Sequence, residues 1–144
     1  MQKTIFIFLL CFLEIFSYKP KKAIDYANKY CDKRNKNYGD YSSSFGDSPN
    51  FISQCLIAGE QSLSGCETDK YGSIIDTGYL EKCLKKKGWK MVTSKSIPKD
   101  FPAGGIIIDN RYAMIAVTKN TYCAHSNDKC GRPIYKGTHK YLWK

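Results

Sequence analysis

The sequence has 144 residues, enough for one compact domain, and sets 23 Lys and Arg against 13 Asp and Glu, a formal net charge of +10. Such a balance suits either plain solubility or a polyanionic partner: an anionic cell-wall polymer, an acidic glycan or membrane headgroups. Nucleic acid is the least expected of these, because the chain carries no recognisable nucleic-acid module.

The chain opens on "MQK", a short basic start, followed by the apolar run "TIFIFLLCFLEIF" and the small residue Ser17. This is the layout of a cleaved secretory signal, residues 1–17, with one exported domain over residues 18–144. Glu14 and the shortness of the run argue against a membrane span, and no later stretch is apolar enough for one. The signal removes one basic and one acidic residue, Lys3 and Glu14, so the net charge stays at +10.

The first element after it is an amphipathic helix beginning near Pro20, with Ala23, Ile24, Ala27, Tyr30 and Cys31 on one face. "NKNYGDYSSSFGD" reads as a loop. A second helix begins near Pro49; Phe51, Ile52, Cys55 and Leu56 give it a buried face, and Gly59 ends it. A third helix runs through "GYLEKCLKKKG", capped by Asp76 or Thr77, with Leu80, Cys83 and Leu84 inward. After Gly88 the period changes to that of strands: "WKMVTS", "GGIIID", "YAMIAVT", "TYCAHS" and "GTHKYLWK". Helices first and an antiparallel sheet after them make an α+β architecture.

Of seven cysteines, Cys11 leaves with the signal and six remain: Cys31, Cys55, Cys66, Cys83, Cys123 and Cys130. An even set in a small exported domain predicts three disulfides, with no pairing favoured. No C-x-x-C pair exists, and His125 and His139 are the only histidines, so no metal or other cofactor is expected.

The segments "AIDYANKYC", "GDSPNFISQCLIAGE", "YAMIAVT" and "YCAHSNDKCGRPI" resemble the putative amidase domain family, relatives of the NlpC/P60 and papain-like cysteine hydrolases. The resemblance spans about residues 20–135 and implies a papain-like fold, N-terminal helices on a C-terminal antiparallel sheet. It also implies site positions. The family's catalytic Cys falls on Ser48 and its catalytic His on Tyr112, while a later His is kept as His125, with Asn127 and Asp128 beside it.

These replacements bear on chemistry. A thiol is activated at a helix N-terminus beside an imidazole, whereas a hydroxyl needs a general base within hydrogen-bond reach. A phenol at Tyr112 is a poor base near neutral pH, and His125 lies beyond the base position of the family pattern. Ser48 is more simply read as a helix cap, with Pro49 in the first turn and Asp47 adding charge at the positive helix end. Tyr112 reads first as a strand aromatic, and Asn127 and Asp128 as a turn. Asn50 and Gln54, one helical turn apart, are expected on the side that lines the cleft.

The expectation is therefore a secreted, non-catalytic amidase-like domain that binds a cell-wall polymer or glycan, or self-associates in a wall or matrix. The alternative is an active amidase or peptidase acting on peptidoglycan-type peptides, with Ser48 as nucleophile and His125 as base. A cationic antimicrobial protein is weaker, since no long cationic amphipathic helix follows the signal. The oligomeric state is not legible.

Overall fold

A computed structural model describes residues 17–144, so the expected signal, apart from Ser17, lies outside the described residues. Among the described residues three helices precede six strands: α1 (Pro20–Tyr30), α2 (Ser48–Ala58), α3 (Thr77–Lys86), β1 (Lys90–Ser94), β2 (Ile106–Asp109), β3 (Tyr112–Ala116), β4 (Thr121–Ala124), β5 (Lys129–Pro133) and β6 (His139–Trp143). The strands form one antiparallel sheet in the order β1-β6-β2-β3-β4-β5. The α+β architecture expected from the element order is the one observed.

The sheet has two apolar faces. On one, Ile106, Ile108, Ala113, Ile115, Cys123 and Leu142 meet Phe51, Ile52, Cys55 and Leu56 of α2, with Ala23 and Ala27 of α1 and Leu80 and Leu84 of α3 in the same core. Alternation along β2 and β3 sends Ile107 and Met114 to the opposite face, where they pack with Phe101, Tyr122, Tyr141 and Trp143. Burying both faces explains the near-continuous apolar runs "IIID" and "YAMIA", whose residues are buried except at the turn between them.

Helix α2 is the central element. Nine of its 11 residues, Ser48 through Leu56, are buried, because α1 lies on one side of it and β3 on another. Its polar residues are absorbed internally: Ser53 Oγ donates to a carbonyl and accepts from the Ile74 N–H at 2.9 Å. Gly59 follows its last residue, as expected, and packs so closely against Tyr18 that a Cβ there would sit 2.6 Å from the tyrosine ring. Asp76 is the cap of α3, accepting from the Tyr79 N–H at 2.9 Å.

Two disulfides brace the domain. Cys31–Cys130 ties the end of α1 to β5 across a separation of 99 residues, and Cys66–Cys83 ties the loop after α2 to α3 across 17. The third expected bridge is not formed. Cys55 on α2 and Cys123 on β4 are buried free thiols in the main core, where a thiol packs as a small apolar group. Burial pushes both thiols up from their ordinary range, Cys55 the more strongly.

The sheet ends in two different edge strands. β1 carries Lys90 and Thr93 exposed. β5, not anticipated from the sequence, is almost wholly exposed, holds Cys130, Gly131 and Pro133, and pairs with β4 through a register shift between Tyr122 and Ala124.

Candidate functional site

A cleft of about 780 Å³ opens where the N-terminal ends of α2 and α3 face the turn between β2 and β3. Phe45, Gly46, Ser48 and Pro49 form one wall, Glu67, Thr68 and Asp69 a second, and Ile75 to Thr77 with Tyr79 a third. Arg111, Tyr112 and Ser126 complete it. The walls are tied together: the Thr77 hydroxyl donates to the Arg111 carbonyl at 2.6 Å, and the Ser126 hydroxyl accepts from the Asp47 N–H at 2.8 Å.

Ser48 is the first helical residue rather than the cap. Asp47 stands at the cap position, but its side chain bonds no first-turn backbone N–H. The Ser48 hydroxyl looks across to the sheet instead and accepts from the Ala113 N–H at 3.1 Å. It is buried, 3% exposed, at the floor of the cleft. Tyr112, next to Ala113 at the start of β3, is 59% exposed and lines the same cleft. Positions 48 and 112 are thus brought together, but no hydrogen bond joins the two side chains among the described residues.

His125 is close in the chain to this wall but turned inward. Its Nδ1 lies 2.7 Å from Asp47 Oδ2 and its Nε2 2.7 Å from the Tyr30 carbonyl oxygen, while its ring stacks on Phe51 with centroids 4.0 Å apart. Arg34 Nη1 approaches the same Nε2 at 3.3 Å, so both ring nitrogens are engaged by groups inside the protein. No hydrogen bond joins His125 to the Ser48 hydroxyl among the described residues. The Ala113 amide holds the serine oxygen as an acceptor, which is also not the posture of a nucleophile.

Asp47 is the hub that the sequence did not announce. It is fully buried; Oδ1 accepts from the Tyr41 N–H at 3.0 Å and the Asn50 side-chain amide at 2.8 Å, and Arg34 Nε approaches Oδ2 at 3.4 Å. Arg34 also forms a two-pronged bridge to Asp128 at 2.9 and 3.0 Å and meets Asp40 at 3.4 Å. Together these carboxylates hold its guanidinium above its ordinary range, against the opposing pull of partial burial.

The four expected cleft residues are placed elsewhere. Asn50 is buried and donates to the Gly39 carbonyl as well as to Asp47, because α2 turns that side of itself into the protein. Gln54 accepts from the Tyr26 hydroxyl at 2.7 Å between α1 and α2. Asn127 supplies a left-handed turn residue with φ of 54°, and Asp128 serves Arg34. None of the four lines the cleft. Of the residues that do, beyond Ser48 and Tyr112, Pro49, Thr77 and Tyr79 stand in the first turns of α2 and α3, and the rest come from loops with no periodic signal.

The only candidate metal cluster among the described residues is Cys31, Asp32 and Cys130, and both its sulfurs are spent in a disulfide. No described helix is long and apolar enough to cross a membrane.

The model of the putative amidase domain family matches residues 17–101 of this chain. That stretch holds α1 to α3 and β1, with Ser48 inside it and Tyr112 and His125 beyond its end. No curated protein and no solved structure matches the chain.

Proposed function

From the premise that this chain belongs to the putative amidase domain family, we propose that it is a non-catalytic member whose cleft binds a ligand without cleaving it. The observation that carries this reading is that no hydrogen bond joins the Ser48 hydroxyl to an imidazole nitrogen among the described residues. Both nitrogens of His125 are engaged, by Asp47 and by the Tyr30 carbonyl, and the other histidine, His139, sits on β6 bonded to the Tyr135 carbonyl at 2.9 Å. An alcohol without a base to relieve it of its proton does not attack an amide.

The reading extends to fold lineage and setting. A family nucleophile position at the start of a helix packed on an antiparallel sheet, with one partner position at the start of β3 and the other just after β4, supports a papain-like, NlpC/P60-related domain. The two disulfides support export, and the basic outer surface suits attachment to an anionic wall polymer or glycan.

Incubation with a fluorophosphonate, which phosphonylates activated serines with loss of fluoride, followed by mass spectrometry tests the inactive reading. The chain is expected to stay unlabelled. A phosphonyl adduct on Ser48 overturns it.

A further inference from the structure

The cleft differs in character from the rest of the surface. The protein carries a formal charge of +10, yet three carboxylates, Glu67, Asp69 and Asp76, line this one cavity against a single guanidinium, Arg111. Ion pairs engage Lys19, Lys21, Lys22, Arg34 and Lys140 with acids elsewhere, but none of the three cleft carboxylates is in an ion pair among the described residues. The two helix ends at the cleft contribute about half a positive charge each, which leaves the cavity negative. Its rim is aromatic: Phe45, Tyr79 and Tyr112 line it and are 67%, 48% and 59% exposed, uncommon values for large rings. At its floor, Ser48 is 3% exposed and its hydroxyl hydrogen has no acceptor among the described residues.

Asp69 and Asp76 accept hydrogen bonds from Tyr41 and Tyr79, which leave their charge in place, and carboxylates outside any ion pair beside exposed rings are the two features that recognise an organic cation, by charge and by cation–π attraction. A hydroxyl hydrogen without an acceptor, at the floor, fits a carbonyl oxygen. An anionic polymer would meet three like charges here, so it is not the occupant of this cleft. We propose that the cleft binds a peptide or amide that carries an ammonium group, with the carboxylates and rim rings around the cation and Ser48 donating to an amide carbonyl. This rests on the non-catalytic reading above, and it names the ligand class.

The test uses the disulfide-bonded chain and three probes: N-acetyl-Ala-Lys-Ala-amide and its norleucine and glutamate counterparts. Binding is followed by the backbone amide signals of Gly46, Ala113 and Ser126. The lysine peptide is expected to shift these signals at the lowest concentration and the glutamate peptide at the highest. Salt should narrow the gap. Glu67→Gln with Asp76→Asn, which keeps a good helix cap, should weaken the lysine peptide roughly fivefold and leave the norleucine peptide unchanged. Equal binding of all three peptides, or shifts absent for all, overturns the proposal. Chromatography of the same mixtures separates the two readings. Cleavage of the lysine peptide sinks the non-catalytic reading while leaving the cationic preference standing.

Discussion

Asp47 Oδ2 sits 2.7 Å from His125 Nδ1, and the two side chains are 0% and 1% exposed. The pair joins the residue before α2 to the end of β4, so it fixes the helix that carries Ser48 against the sheet. Asp47→Asn leaves an imidazole and the Arg34 guanidinium facing a neutral amide. A destabilisation of about 1–3 kcal/mol is expected, measured by urea unfolding, because buried groups that lose a charged acceptor cost that much.

Restoring the family residues tests whether the cleft is a silenced hydrolase. Ser48→Cys alone should give a slowly alkylated thiol. Adding Tyr112→His places an imidazole on the neighbouring strand start and should speed alkylation by iodoacetamide roughly tenfold near neutral pH, through the larger thiolate fraction. A double variant no faster than the single one would mean that positions 48 and 112 do not meet closely enough to exchange a proton.

Thiol counting checks the cysteine framework. A chain of residues 18–144, which lacks Cys11, should be unreactive toward a thiol reagent, since Cys55 and Cys123 are buried and burial pushes both up. Unfolded without reductant, it should release two thiols, from Cys55 and Cys123. Zero would mean that the third bridge forms.

Replacing Cys31 and Cys130 by Ser should cost about 3–5 kcal/mol, since their bridge closes a loop of 99 residues. The thermal midpoint reads the loss. The Cys66–Cys83 bridge, across 17 residues, should cost about 3 kcal/mol or less by the same reasoning.

Tyr41 supplies a pH signature. Its hydroxyl donates to Asp69 Oδ2 at 2.5 Å, and that bond, with burial adding to it, pushes the phenol up to about 12. The protonated form is the one favoured by folding, so the stabilisation is whole below the ordinary phenol value of about 10 and is lost as pH rises through about 12. The stability advantage of the parent over Tyr41→Phe should therefore be constant through neutral pH and shrink in that alkaline window. Paired denaturant titrations across the range will show it.

What the sequence disclosed was local. Pro20, Pro49, Gly59 and Asp76 mark helix ends by backbone chemistry that acts within a turn, and β-branched runs mark β2 and β3. β5 went unseen because its exposed "KCGRP" has neither alternation nor apolar content; it exists through a disulfide and through pairing with β4. The site was legible at positions 48 and 112, which lie on regular elements. Its electrostatics was not. Asp47 and His125 are 78 residues apart, and Arg34 and Asp128 are 94 apart, so nothing in either neighbourhood signals the other. Helical spacing put Asn50 and Gln54 on one side of α2 correctly, but which side faces the cleft depends on how α1 docks.

The two rims of the sheet have a consequence for how copies of this protein meet. An open sheet grows when an unpaired strand offers its backbone to another molecule. Here one rim shows the lysine of β1 and the other is a short, kinked strand pinned by Cys130 and interrupted by Gly131 and Pro133. Neither is a good template for a seventh strand. Fibre-like stacking through the main chain is thereby discouraged, and crowding of this protein should leave it dispersed unless side-chain surfaces bring copies together.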